Sequence, residues 1–220
     1  MSQSRRQPVV YEGDLAGLIE RVQWLAKSAS RSILGICGAP GSGKSTLADG
    51  LVKALGAEAA LVPMDGFHLA NSELIHLGRR DRKGAIDTFD GAGYVALIRR
   101  LRANTDPVVY APEFRREVEE PIAGAIAVPQ TVRLIVTEGN YLLSDAEPWK
   151  ALGPLLDQTW YVDPGEDLRQ TRLIARHVAF GKAPDVARSW SLGPDQRNAD
   201  MIASTRNAAD LAITSADLRS

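Results

Sequence analysis

Cysteine is almost missing from this sequence. The one copy, Cys37, has no partner for an internal disulfide. It lies in the apolar run Ile33-Leu34-Gly35-Ile36-Cys37, which predicts a buried thiol acting as a small hydrophobe rather than a nucleophile. Histidine is nearly as scarce, with three copies, and neither His76 nor His177 stands at metal-ligand spacing from a neighbouring donor, so no metal is assigned to them. An excess of either charge is lacking too. With 26 Lys and Arg against 27 Asp and Glu, the chain offers no global field for nucleic acid or an anionic membrane surface. No run approaches the length that spans a bilayer, and the polar, basic stretch Met1 to Gln7 is not followed by an apolar signal segment. A reducing cytoplasmic setting is the resulting expectation. Linkers rich in Pro, Gly and Ser are absent, as are internal repeats of 20 to 50 residues, so 1–220 reads as one domain. Folding needs no staples, because the 45% apolar content supplies a sizeable core.

What is present alternates between two periodicities. Leu15, Leu18, Ile19, Val22 and Leu25 recur at helical spacing after Asp14, a candidate N-cap, so an amphipathic helix is expected to fill the opening segment 1–31. Ser32 to Gly38 is short, β-branched and nearly all apolar, as expected of a parallel strand covered on both faces. Further strand candidates are Ala60 to Met64, Val108 to Ala111, Val132 to Thr137, Thr159 to Val162 and Leu211 to Thr214. Helical patterns fall between them, at Lys44 to Leu55, on the face Tyr94, Leu97, Ile98 and Leu101, and over Asp167 to Phe180. The alternation implies an α/β fold with a mainly parallel sheet flanked by helices. Two irregular stretches, Arg79 to Asp90 and Gly181 to Pro194, are expected to be binding loops or lids, the second within a lid region at about 165–195.

Gly38-Ala39-Pro40-Gly41-Ser42-Gly43-Lys44-Ser45, followed by Thr46, fits the pattern GxxxxGK[ST] between a predicted strand and a predicted helix. Glycines at 38, 41 and 43 let the backbone approach phosphates, and the helix N-terminus adds partial positive charge. In such a loop Lys44 reaches the β- and γ-phosphates and Ser45 ligates Mg²⁺. The loop implies binding of a nucleoside triphosphate and leaves the fate of the γ-phosphate open.

Three other features sit where chemistry would need them. Asp65, in Pro63-Met64-Asp65-Gly66-Phe67-His68, follows a predicted strand, where it could accept a hydroxyl proton or assist a metal; the same letters also spell a common Asp-Gly turn. Glu138 ends the strand Leu134-Ile135-Val136-Thr137, where it could orient magnesium or form a structural salt bridge. Arg169, Arg172 and Arg176 share one helix face, which could stabilise charge on a transferred phosphoryl group or could be a solvated basic row.

With these residues in hand, the chain resembles the uridine kinase, phosphoribulokinase and bacterial pantothenate kinase group of P-loop kinases. The likeness runs from Ser32 onward through Gly38 to Thr46, Met64-Asp65-Gly66-Phe67, Thr88-Phe89-Asp90, Val136-Thr137-Glu138-Gly139 and the pair Arg172 and Arg176. The wording Pro63 to Asn71 is most similar to a nucleoside/nucleotide kinase-like subgroup that includes proteins labelled fructose transport system kinases. The resemblance implies a P-loop NTPase fold with a helical lid, ATP and Mg²⁺ as cofactors, and transfer of the γ-phosphoryl group to a hydroxyl of a sugar, nucleoside or pantothenate-like metabolite. It implies Asp65 as catalytic base, Lys44, Arg172 and Arg176 as phosphate ligands, and Ser45 with Glu138 at magnesium. The sequence departs from the group at Arg176-His177 and Gly181-Lys182 in the lid. His68, Arg82, Tyr110 and Arg116 are the candidates for contacts to the acceptor, by virtue of polar side chains near Asp65. Partners are therefore expected to be small hydroxylated molecules, with a homodimer left open. A GTPase switch lacks its Asn-Lys-x-Asp motif here, and Asp90-Gly91-Ala92-Gly93 has no apolar strand before it. A non-catalytic nucleotide sensor stands as the alternative.

Overall fold

The computed structural model describes residues 7–214. Six parallel strands form the main sheet: β1 (Val9–Tyr11), β2 (Ser32–Cys37), β3 (Ala59–Leu61), β6 (Leu134–Gly139), β7 (Gln158–Val162) and β8 (Leu211–Ile213). Their spatial order is β1-β8-β7-β2-β6-β3. The central strands β2 and β6 are buried along their whole length and pair in register from Ser32 with Leu134 to Cys37 with Gly139. Continuous apolar runs are what a strand covered on both faces requires.

Alternation along those strands divides the core into two layers. Leu34, Ile36, Leu134 and Val136 point to one face, against Leu18, Val22 and Leu25 of α1 (Leu15–Ser28) and Leu47 and Leu51 of α2 (Lys44–Leu55). Ile33, Cys37 and Ile135 point to the other, toward Tyr94, Ile98 and Leu101 of α4 (Gly91–Ala103). Asp14 caps α1 by accepting the Gly17 amide at 3.0 Å, as its position suggests. Asp90 does the same for α4 through Gly93 at 2.8 Å. Cys37 is buried, donates to the Asn140 carbonyl, and has its thiol pushed up to about 11 by burial.

Several expectations need correction. The opening segment holds an edge strand, β1, before its helix; Met1 to Arg6 of that expectation lie outside the described residues. β1 was illegible because its partner among the described residues, β8, lies some two hundred positions away in the chain and its side chains are largely exposed. Val108 to Ala111 belongs to β4 (Val108–Arg115), which leaves the parallel sheet and pairs antiparallel with β5 (Glu120–Pro129) as a separate hairpin. That hairpin lies over the α4 layer through Val109, Ala111 and Val128. Arg31 ties it down, donating to the carbonyls of Val132, Leu101 and Pro129 at 2.9, 3.2 and 2.7 Å. The stretch Gly181 to Pro194 is largely helical, as α6 (Pro184–Leu192), which starts on a proline at its first position and stops at Gly193. With α5 (Glu166–Ala179) and α7 (Pro194–Ala203) it forms a three-helix layer beside the glycine-rich loop. A short helix, α3 (Asn71–His76), precedes the irregular segment 77–90. Among the described residues no helix is long and apolar enough to cross a membrane.

Candidate active site

Parallel strands carry their carboxyl ends to one edge, and the loops leaving that edge build the site. From β2 the chain turns through residues 38–43 into α2. Gly41 and Gly43 adopt positive φ, +85° and +96°, which other residues take only with strain. A Cβ on Gly41 would lie 2.5 Å from the Arg169 carbonyl oxygen, so this glycine also lets the loop rest directly on α5. Ser42 is buried and its Oγ has no hydrogen-bond partner among the described residues, an orphan polar group in the middle of the loop. Lys44 is buried, whereas Ser45 and Thr46 are exposed at the start of α2.

Glu138 stands at the end of β6, beside Ile36 of β2, and is 5% exposed. The Ser45 hydroxyl donates to its Oε1 at 3.2 Å. Burial pushes its carboxyl up to about 7; Lys44 works against that shift and Asp65 adds to it. A buried carboxylate near a second carboxylate, with a serine hydroxyl between it and the loop, is a donor set suited to a hard divalent cation. The orphan Ser42 hydroxyl and the glycine-built cradle suit a phosphate chain in the same way. The residues present therefore fit both magnesium and the nucleotide.

Asp65 reaches the cleft because two glycines permit close packing. A Cβ on Gly139 would meet Met64 Cβ at 2.5 Å, and one on Gly66 would meet the Pro112 carbonyl oxygen at 2.3 Å. Gly66 is absent from the positive-φ positions, so Asp65-Gly66 is not a turn made for backbone freedom. It is a contact site where the one-turn segment Met64–Phe67 wedges between the end of β6 and the β4–β5 hairpin. Thr137 secures the arrangement, donating to the Val62 carbonyl at 2.6 Å and meeting Tyr94 Oη.

The resulting cleft, of about 350 Å³, brings together Lys44, Asp65, His68, Arg116 and Arg176. His68 is fixed by its Nδ1 against the Asp65 carbonyl oxygen at 2.8 Å, between the rings of Phe89 and Phe114, and burial lowers its pKa. Arg116 Nη2 lies 3.9 Å from Asp65 Oδ2, with its guanidinium over Phe180. Arg172 directs Nη1 to within 3.4 Å of the Ser42 carbonyl oxygen. Arg176 is mostly buried, and desolvation, then the nearby Arg116 charge, lower its pKa.

Two expected acceptor contacts are not brought there. Arg82 pairs with Asp87 outside the cleft lining, and Tyr110 is 61% exposed on β4, pointing away from the layer that Val109 and Ala111 enter. The row on α5 divides as well. Arg169 is 3% exposed rather than solvated, donating to the Pro40 carbonyl at 3.0 Å, to Glu166 at 2.9 and 2.6 Å, and to Gln196 at 2.5 Å. It fastens the glycine-rich loop to the helical layer. Lys83, Asn140, Trp190 and Asn198 also line the cleft and carried no sequence signal of their own. His177 binds Asp195 at 2.7 Å, joining α5 to α7.

No family model matches the chain. It is 36% identical over 152 residues to an "ATP-dependent kinase-like protein" of Aspergillus versicolor, covering 65% of this chain and 88% of the relative. It is 35% identical over 173 residues to a "putative uridine kinase" of Schizosaccharomyces pombe, covering 74% of each. Among solved structures, a "putative fructose transport system kinase" from a Silicibacter species superimposes with a TM-score of 0.82 at 38% identity, over 90% of this chain and 98% of that one.

Proposed function

This chain belongs to the uridine kinase and phosphoribulokinase group of P-loop kinases, ATP-dependent phosphotransferases with alcohol acceptors, and from that premise we propose that it phosphorylates a hydroxyl of a small sugar-, nucleoside- or pantothenate-like metabolite with Asp65 as base. The observation that carries this reading is the meeting of Asp65 and Lys44 in one cleft, with Glu138 near enough to feel the charges of both.

The loop 38–46 holds the triphosphate through its amides, and Lys44, Arg172 and Arg176 stabilise the charge that spreads over the transferred group. An acceptor hydroxyl in the cleft gives its proton to Asp65 as its oxygen bonds to the γ-phosphorus. The bond from that phosphorus to the β,γ-bridging oxygen breaks, and its electron pair leaves on ADP. Ser45 and Glu138 would hold magnesium, which when bound neutralises charge on the phosphate oxygens. Arg169 acts at one remove, keeping the loop seated on α5. The aromatic part of the lining, Phe89, Phe114 and Trp190, would limit water that could otherwise compete as acceptor.

Asp65→Asn tests the assignment. The variant should bind ATP within about threefold of wild type and lose about 10²- to 10⁴-fold in kcat. Undiminished product formation would remove Asp65 from the mechanism. ATP binding without product in the wild-type protein, across a broad acceptor panel, would favour a nucleotide sensor.

A further inference from the structure

The cleft holds more positive charge than a phosphate chain gripped by the loop and α5 accounts for. Six lysines and arginines line it against three carboxylates, in a chain whose net charge is −1. One of those carboxylates, Asp195, is already engaged by His177. On the reading above, Lys44 and Arg176 serve the nucleotide. Arg80, Lys83, Arg116 and Lys182 remain; Lys182 lies 5.1 Å from the Trp190 ring centre on the α6 side, and contacts place Lys83 and Arg116 on the Asp65 side. Lys83 Nζ donates to Asn71 Oδ1 at 2.8 Å and the Glu119 carbonyl at 2.6 Å, and lies 5.0 Å above the Phe114 ring. Phe114 tilts against His68, whose ring nitrogen is fixed at the Asp65 backbone. Arg80 forms no ion pair among the described residues; burial lowers the Lys83 pKa and the nearby Arg80 charge adds to that, against the opposing charges of Glu120 and Glu119.

We propose that Arg80, Lys83 and Arg116 recognise an anionic oxygen group, a carboxylate or a phosphate, carried by the same acceptor whose hydroxyl faces Asp65. This rests on the kinase reading and narrows its substrate class. Cations gathered in a partly enclosed cleft repel one another, and that cost is recovered when an anion binds between them; a neutral polyol recovers none of it. Arg116 is not consumed by Asp65. The 3.9 Å separation is at the outer limit for an ion pair and both side chains are more than a third exposed or close to it, so most guanidinium donors are left for a ligand. Arginine presents paired donors that match the oxygens of carboxylate and phosphate.

The test uses the full chain with ATP and Mg²⁺ and acceptors matched except for the charged group: glycerate with glycerol, and fructose 6-phosphate with fructose. Phosphorylated product is read by mass spectrometry and ADP release by a coupled assay. The charged member of at least one pair should exceed its neutral partner in kcat/KM by about 10- to 100-fold; which pair shows the effect separates carboxylate from phosphate. Arg80→Met should raise KM for that charged member about tenfold and leave the neutral member unchanged, a split that a merely structural role would not produce. Neutral acceptors phosphorylated as well as charged ones, or Arg80→Met affecting both alike, would overturn the proposal while leaving phosphoryl transfer standing. Calorimetry of the same four compounds with a non-hydrolysable ATP analogue covers the opposite case. Charged probes that bind more tightly than neutral ones, and more weakly to Arg80→Met, without any product, would uphold the anion site and sink the transfer. Charged probes that bind no better than neutral ones would overturn the anion site.

Discussion

Replacing Arg169 with methionine separates the support of the glycine-rich loop from its chemistry. Methionine keeps much of the aliphatic stem, so little cavity forms and the loss is mostly polar. The buried Pro40 carbonyl forfeits a charge-assisted donor at 3.0 Å, worth about 1–3 kcal/mol as the desolvation cost of a buried acceptor left unpaired. The ion pair with Glu166 adds about 1 kcal/mol or less, since that carboxylate is 51% exposed and screened. Gln196 keeps a second donor in Gln170 at 3.3 Å, which limits its loss. Together these give a destabilisation of about 1–4 kcal/mol at pH 7, read as a shift in urea midpoint at unchanged m. The acid side supplies a second signature. Arg169 holds the Glu166 carboxyl down at about 2, below its ordinary 4.5. A depressed carboxyl stabilises the fold above its unfolded pKa and loses that contribution as pH falls toward its folded one. The gap between wild type and Arg169→Met should therefore narrow by up to about 1 kcal/mol between pH 5 and pH 2, a figure reduced for the exposure of Glu166. ATP KM should rise more than kcat falls, because the loop loses its seat while Asp65 and Lys44 are untouched. A variant within about 0.5 kcal/mol of wild type at pH 7 would refute the clamp.

Gly41→Ala should raise ATP KM at least about tenfold, since its Cβ would press on the Arg169 carbonyl at 2.5 Å from a left-handed backbone; a wild-type KM would mean that the loop and α5 do not need this contact. Glu138→Gln should fold yet require about tenfold or more magnesium for half-maximal rate, and an unchanged magnesium titration would take Glu138 out of the metal site. Arg31→Met should cost about 3–5 kcal/mol in urea unfolding because three carbonyls in largely buried surroundings lose their donor; a cost under about 1 kcal/mol would show that water replaces it.

The parallel strands of the core and the glycine-rich loop were legible because their signals are local. β2 and β6 are continuously apolar over Ile33–Cys37 and Leu134–Val136, and residues 38–45 carry their phosphate-binding pattern in adjacent residues. Helices α1 and α4 were equally plain from their apolar stripes, α1 also from its aspartate cap, whereas the Asp90 cap of α4 emerged with the structure. The hairpin strand β5 was not, since it is mostly exposed and takes its register from β4 alone. Gly66 looked like a turn residue, whereas it and Gly139 let separate segments touch.

Sequence alone therefore determined that a strand, a phosphate-shaped loop and a helix occur in succession, because hydrogen bonding and side-chain period over a dozen residues are enough to specify them. Which arginines line the cleft and which are spent on protein contacts was decided only in three dimensions. Arg169, Arg172 and Arg176 share one helical face, but Pro40, Ser42 and the cleft meet that face at different heights, and burial follows the neighbour rather than the spacing. The same holds for Arg82 and Arg116, similar in letters, one paired with Asp87 and the other set beside Asp65 by a hairpin whose position depends on contacts far along the chain.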